Sequence, residues 1–332
     1  AAVNQSILTH VYENGLVLIA EEIPWMQSAA FTILLPAGAI DDPPKREGLC
    51  GLACDMVQRG AGPRDARQFV IDLDNLGVRR SDSVSSSHTG FSGATLSENL
   101  PAALTIYADV LRSPLLPAEH LEACRSSLLQ ELRAMEDDPA RKLAVELRRR
   151  HYPYPWGRPP EGAEESVQAI TLEDVRQFVR RRYVPKGTII AVAGRVQWEP
   201  LRELVGRLLA DWPTSEERSF EEQPAERGAR HIHYSSNQTH IGIAWDAVPY
   251  RHPDYFRAWG AVGVLGSGTS SRLFMEVREK RGLCYAVYAS YHTLRDRAAV
   301  FCYAGTTAER AQQTLDVTVA ELQRLAQGIQ SD

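Results

Sequence analysis

The chain has 332 residues, of which 44% are hydrophobic and 24% are charged, proportions typical of a globular protein with a packed core. Its 37 basic and 42 acidic residues give a net charge of −5, which argues against a dedicated nucleic-acid-binding protein. No apolar run approaches the roughly 20 residues that a membrane-spanning helix requires. We therefore expect neither nucleic acid nor a membrane span, and the length predicts about two domains.

The five cysteines do not follow the spacing of a disulfide framework or of a cysteine-rich zinc site, because their number is odd and no C-x-x-C pair occurs. We expect them to be reduced and buried. They are Cys50, Cys54, Cys124, Cys284 and Cys302.

The first 214 residues alternate between strand and helix patterns. A hairpin is predicted around Asn14-Gly15, a pair favoured in tight turns, and 81–95 reads as one polar strand at a sheet edge. Thr171 opens a helix with a capping signal. Further strands are predicted over 29–35 and 187–196, and helices over 47–59, 65–76, 100–111, 119–135, 139–150 and 199–209.

A charged segment, 215–230, divides these elements from a second set. That set comprises strands over 241–248, 285–292 and 298–304 and helices over 255–265, 271–280 and 307–326. Because strand, loop and helix recur in the same order, we predict an α+β protein of two related halves, 1–214 and 231–332. Each half should be an antiparallel-rich sheet covered by helices, and we expect the second half to be incomplete.

Several segments together resemble one protein family. The run ENGLVLIAEEIP, followed by PAGAIDDP and GLCGLACDMVQRGAG, is similar to the start of the pitrilysin/insulinase family of zinc metallopeptidases. The later segments EDDPARKLAVELRRRHYPYPWGRPPEG and GTSSRLFMEVREKRGLCYAVYASY resemble its branch of processing peptidases. The resemblance runs through the whole chain in the right order.

The family's chemistry rests on an inverted zinc motif, H-x-x-E-H, in which two histidines bind zinc and the glutamate is the general base. By the resemblance, Gly51 takes the place of the first histidine, Cys54 that of the base, and Asp55 that of the second histidine. Glu131 lies 76 residues after Asp55 (131 − 55), where the family has its third ligand.

This chain therefore keeps one of three zinc ligands and lacks the base, so we expect no metal or other cofactor in it. Cys50 and Cys54 lie four residues apart on one helix face, which leaves a thiolate zinc site as an alternative. Against it, Cys50 is one position, about 100° of helix rotation, away from the family's ligand. Glu131 could equally be an ordinary surface glutamate.

The second half keeps the family's other signature. Arg278 and Tyr285 lie seven residues apart with Gly282 between them. In relatives such a pair donates hydrogen bonds to the scissile carbonyl and to the oxyanion that develops from it, so the resemblance implies a catalytic role in trans. The alternative is a surface ion pair for the arginine and sheet packing for the tyrosine.

Two segments are expected to bind peptide. The strand that carries Ser81 and Asp82 corresponds to the edge at which relatives add substrate as an extra strand, although the family's Asn-Ala is absent here. Gly266 and Gly268 lie in a short glycine loop similar in place to a substrate-handling loop of processing peptidases.

Three functional hypotheses follow. The first is a non-catalytic subunit that binds peptide and supplies Arg278 and Tyr285 to a zinc-bearing partner of the same family. The second is a scaffold without proteolytic role, as the core subunits of respiratory complex III are for this family. The third is a metallopeptidase rewired around Cys50, Cys54, Asp55 and Glu131. Bacterial relatives occur in both cytoplasm and periplasm, so the sequence does not select a compartment.

Overall fold

A computed structural model describes residues 6–214 and 218–329. The strands are β1 (Ile7–Val11), β2 (Val17–Glu22), β3 (Ser28–Leu35), β4 (Gly60–Ala61), β5 (Arg64–Asp65), β6 (Arg79–Val84), β7 (Thr89–Leu96), β8 (Ile189–Gly194), β9 (Gln238–Ala247), β10 (Cys284–Thr293) and β11 (Ala298–Thr307). The helices are α1 (Leu49–Met56), α2 (Ala66–Asn75), α3 (Leu100–Arg112), α4 (Leu121–Glu136), α5 (Pro139–His151), α6 (Glu164–Ala169), α7 (Leu172–Arg182), α8 (Trp198–Leu209), α9 (Tyr255–Gly266) and α10 (Ala311–Ala326). The α+β class predicted from the sequence is confirmed.

The chain divides into two compact units, each with a sheet of its own. Unit 1 comprises residues 1–133 and 158–222, and unit 2 comprises 134–157 and 223–332. The break at 222–223 falls within the predicted linker, of which 215–217 lie outside the described residues. Residues 134–157, which the sequence pattern assigned to the first half, group with unit 2, because α5 packs against β9.

Unit 1 is built on a six-stranded sheet in the order β1-β2-β8-β3-β7-β6. Only β2 and β8 of these pair in parallel; the other neighbours are antiparallel. Along β3 the side chains alternate as a strand with one covered face requires: Phe31 and Ile33 are buried, whereas Ala30 and Leu34 are exposed.

The predicted single strand over 81–95 is a hairpin. Its two arms, β6 and β7, pair from Arg79↔Ala94 to Val84↔Thr89. The sequence pattern does not reveal the turn because 85–88 is as rich in serine as the strands beside it. As predicted, part of this segment lies at the edge of the sheet: β6 is an edge strand, and its residues Arg79 to Ser83 are exposed.

Unit 2 contains a three-stranded antiparallel sheet in the order β10-β11-β9. Leu143 and Leu147 of α5 pack over Gly242 of β9, where a Cβ atom would lie 3.0 to 3.3 Å from them. The predicted helix over 271–280 is mainly a π-helical turn, Phe274–Glu279. Such turns are rare and often occur at functional sites.

No helix within 6–214 and 218–329 combines the length and hydrophobicity that crossing a lipid bilayer demands. This agrees with the apolar runs of the sequence, which are all short.

Gly266 is a packing residue, which argues against the peptide contact expected for it. It is buried at the end of α9, where a Cβ would lie 2.2 Å from the backbone nitrogen of Ala289 in β10. Gly268 is exposed and has a φ of +92°, and a Cβ placed on it would meet no atom within 4 Å. Of the two glycines, only Gly268 is exposed, and a role of either in peptide binding stays a prediction.

Replacing Gly266 with alanine should destabilise the protein by about 2 kcal/mol or more, because backbone cannot yield to the added methyl group. The matched control is Gly260→Ala in the same helix, where a Cβ meets nothing within 4 Å. That variant should be neutral or more stable by about 0.5–1 kcal/mol, since alanine restricts the unfolded chain. Urea denaturation measures both, and equal stabilities would contradict the packing role.

Candidate functional site

The helix that carries the degenerate motif, α1, is fixed at its start by a buried acid. Asp42 is 4% exposed, and its carboxylate oxygens accept hydrogen bonds from the backbone nitrogens of Gly48 and Cys50, each at 2.8 Å. Arg158 donates to the backbone oxygen of Asp42. Burial raises the pKa of Asp42 to about 7, against the opposing effect of these hydrogen bonds. The first turn of α1 is thus fixed by hydrogen bonds to a carboxyl group in the protein interior.

The four positions matched to the family's zinc motif line one cavity of about 250 Å³ in unit 1. Its walls come from α1, from β6, from α4 and from the loop at 160–161. The lining residues are Gly51, Leu52, Cys54, Asp55, Asp82, Ser83, Val84, Cys124, Ser127, Leu128, Glu131, Pro160 and Glu161. The structure therefore brings Gly51, Cys54, Asp55 and Glu131 together, although Glu131 is far from the others in sequence.

Gly51 offers no donor to a metal, but the space for a side chain remains. A Cβ there would meet Pro160 O at 3.4 Å and Leu128 at 3.8 Å, which are ordinary contacts. The first ligand position has thus lost its donor atom, but neighbouring residues have not filled the space beside it.

The cysteines are poor zinc ligands here. Burial raises the pKa of both Cys50 and Cys54 well above the usual range, and neighbouring carboxylates raise it further, so both remain thiols at neutral pH. The Sγ atom of Cys50 lies 3.6 Å from Asp42, and Cys50 does not line the cavity. The Sγ atom of Cys54 lies 3.7 Å from Asp82 Oδ2. A thiolate pair on α1 is therefore not supported.

Asp55 has a cationic neighbour that the sequence analysis did not identify. Arg59 Nη2 lies 3.4 Å from Asp55 Oδ1. Burial and nearby Asp82 raise the pKa of the Asp55 carboxyl, whereas Arg59 opposes that shift. The signal was present in the sequence, because the two residues are four apart at the end of a helix.

The donor set does not fit zinc. Among the residues that the structure describes, no three histidine, cysteine or carboxylate side chains are grouped so that they could hold a metal ion. A catalytic zinc needs three protein ligands with an open fourth position. Gly51 and the protonated Cys54 supply neither a ligand nor a base, so no hydrolytic step can be derived from this cavity.

The second predicted site lies in unit 2 and is exposed. Arg278 stacks over the ring of Phe274 at 4.8 Å, and its Nε atom is 3.9 Å from Glu279 Oε1. Tyr285 is 65% exposed and is the extra residue of a β-bulge between Cys284 and Ala286. A bulge re-aims a side chain, and such irregularities concentrate near functional sites.

Gly282, with a φ of +58°, turns the chain between the π-helical turn and β10, as the sequence predicted. Burial raises the pKa of the Cys284 thiol, and the nearby guanidinium of Arg278 opposes that shift. Arg278 and Tyr285 are both exposed donors on the same surface segment.

The fold and the site together define a metallopeptidase-like protein that keeps one of the three expected metal ligands, Glu131. Comparison with known families gives the same answer: residues 17–155 match the model of the insulinase family, peptidase family M16, and residues 169–332 match the model described as the peptidase M16 inactive domain. The chain belongs to peptidase family M16.

Curated relatives carry related names. An uncharacterized zinc protease of Mycobacterium tuberculosis is 28% identical over 321 residues, covering 94% of this chain and 73% of the relative. One of Rickettsia felis is 24% identical over 322 residues, covering 96% and 78%. Both proteins are similar to this chain, and the term zinc protease is part of their names.

Solved structures share the fold. A peptidase M16 inactive domain from Pseudomonas fluorescens superposes with a TM-score of 0.89 at 24% identity, covering 96% of this chain and 79% of the other. A protease from Helicobacter pylori gives 0.88 at 20% identity, covering 99% and 82%. This chain is thus an M16 homologue in which the positions matched to the zinc motif carry Gly51, Cys54 and Asp55.

Restoring the motif tests where the ligands belong. The triple variant Gly51→His, Cys54→Glu, Asp55→His should bind about one zinc per chain, because Gly51 has room for a side chain and Glu131 faces the same cavity. The unaltered chain should retain substoichiometric zinc. Elemental analysis after dialysis against micromolar zinc measures both.

The control adds Glu131→Gln to the triple variant and should reduce the bound zinc. Two results would contradict this assignment: a triple variant that binds no zinc, or equal zinc binding with and without Glu131→Gln. Either result would mean that α1 and α4 do not bring the four positions of the zinc motif together.

Proposed function

We propose that this chain is the non-catalytic subunit of a two-chain M16 peptidase. It binds an extended peptide and supplies Arg278 and Tyr285 to the active site of a zinc-bearing partner of the same family. The observation that carries the proposal is the contrast between two sites: the cavity beside α1 lacks the donors for zinc, whereas the arginine and tyrosine are present, exposed and backed by local structure.

The edge strand β6 supports peptide binding. Its backbone pairs with β7 on one side, and its other side is the edge of the sheet. An extended peptide adds to such an edge through main-chain hydrogen bonds, with side chains lodging in adjacent pockets. Ser81 and Asp82 are exposed on this strand, and Asp82 also lines the cavity, so a peptide at the edge would pass beside it.

The chemistry of Arg278 and Tyr285 supports the catalytic part. A guanidinium and a phenol both donate hydrogen bonds, and donors aimed at a developing oxyanion lower the barrier to peptide hydrolysis. The guanidinium of Arg278 presents its N–H donors in a rigid, planar fork. The contacts with Phe274 and Glu279 restrict the guanidinium without burying it, which leaves it free to meet substrate.

Replacing Arg278 with alanine or Tyr285 with phenylalanine should lower peptide cleavage by the complex with the zinc-bearing partner by about 10²-fold or more, the usual cost of one oxyanion donor. The loss should appear in kcat/KM while assembly, measured by size-exclusion chromatography, is unchanged. The control is Arg257→Ala, an arginine of the same unit that is paired with Asp254. Unchanged turnover in the first two variants would favour a scaffold instead.

Binding at β6 can be tested with the chain alone. A peptide of about six residues should bind in an extended form, and methylating the backbone nitrogens of alternate residues should weaken binding about tenfold or more. Fluorescence anisotropy of a labelled peptide measures the affinity. Methylating the other alternate set, whose N–H groups point away from β6, is the control, and equal effects of both sets would exclude strand addition.

A further inference from the structure

The carboxyl end of α5 rests on the sheet of unit 2 through two buried aromatic residues. The side chains of His151 and Tyr152 are both almost inaccessible to solvent. Both rings lie against Phe301 of β11, with centroid separations of 5.8 and 6.1 Å. His292 of β10 lies beside the same phenylalanine at 5.9 Å. Four rings from three elements therefore meet where α5 ends.

Polar atoms in this cluster join α5 directly to the sheet. The hydroxyl of Tyr152 lies 2.8 Å from His292 Nδ1, so a neutral imidazole can accept a hydrogen bond from the phenol there. Protonation of the ring would leave the hydroxyl only the role of acceptor in this contact, and it would place a positive charge in the half-buried aromatic cluster beside Arg148. On the other side, His151 Nε2 lies 3.2 Å from Asp246 Oδ1 of β9.

The charges around His292 oppose its protonation. Burial is the largest cause that lowers the pKa of His292, Arg148 and His151 lower it further, and together they bring it to about 4. Burial likewise lowers the pKa of His151; Arg227 adds to this shift and Asp246 opposes it. Asp246 is itself held by Arg227 through two hydrogen bonds of 2.6 Å. The charged or titratable groups that face the cluster are Arg148 and His151 of α5, Tyr152 directly after α5, Arg227, Asp246 of β9, Tyr291 and His292 of β10, and Arg297.

We propose that Tyr152 and His292 form an acid-sensitive clasp, which holds the end of α5 on the sheet of unit 2 at neutral pH and releases it in acid. The clasp acts on a particular segment: residues 134–157 belong to unit 2 but are joined in sequence to unit 1 at both ends. Disproof of the clasp would leave the proposed peptidase role unaffected, because neither Tyr152 nor His292 belongs to the site proposed for that role.

The direction of the pH dependence follows from linkage. A histidine with an ordinary pKa near 6.5 when unfolded and about 4 when folded binds more protons in the unfolded state between those values. Its contribution to stability is complete above about pH 6.5 and is lost as the pH falls towards 4. Each pH unit in that window changes the opening equilibrium by up to about tenfold.

Hydrogen exchange of the full chain, corrected for intrinsic rates, should show α5 amides losing protection between pH 7 and 5, by up to about tenfold per pH unit. The amides of α10, in the same unit, should change less. In His292→Gln, α5 protection should depend much less on pH. The control, His231→Gln, removes an exposed histidine and should keep the original dependence.

Two results would overturn the proposal: α5 protection that does not change from pH 7 to 5, or the same dependence in His292→Gln as in the unaltered chain. If that variant does not fold, NMR titration of the His292 ring in the unaltered chain decides the matter. A midpoint below pH 5 is expected, and a midpoint near 6.5 would exclude the clasp.

Discussion

The cavity of unit 1 depends on one buried carboxyl group. Asp42 holds the first turn of α1 through the backbone nitrogens of Gly48 and Cys50, in an environment that brings its pKa to about 7. Because this acid is anchored before the helix begins, it helps to hold α1 in position beside β6 and α4. The altered zinc-motif positions on α1 are compatible with an intact fold because the helix is fixed at its buried end.

That separation between scaffold and chemistry explains how the two sites of the family can diverge. At Gly51, Cys54 and Asp55 the donors have changed, yet the side chains or spaces still face one cavity with Glu131. At Arg278 and Tyr285 the residues remain, on a π-helical turn and a β-bulge that hold them at the surface. A fold supports a site but does not define its activity.

Much of the fold could be predicted from the sequence, because local signals act over a few residues. Asn14-Gly15 marks the first hairpin, and the capping box at Thr171 marks the start of α7, where both expected hydrogen bonds form. The sequence pattern does not separate β6 from β7, because the composition does not change at the turn between them. The packing role of Gly266 was not foreseen, because it arises from a close approach to β10, a contact distant in sequence.

The sequence by itself determined the α+β class, the family resemblance and the identities of the groups that could act, since these depend on residue type, local periodicity and spacing. Only the tertiary structure decided which of those groups meet. It placed Glu131 in the cavity of α1, left Cys50 outside it, and assigned 134–157 to unit 2. It also revealed the Tyr152–His292 contact between residues 140 positions apart. Such contacts depend on burial and packing between distant segments, which no local pattern records.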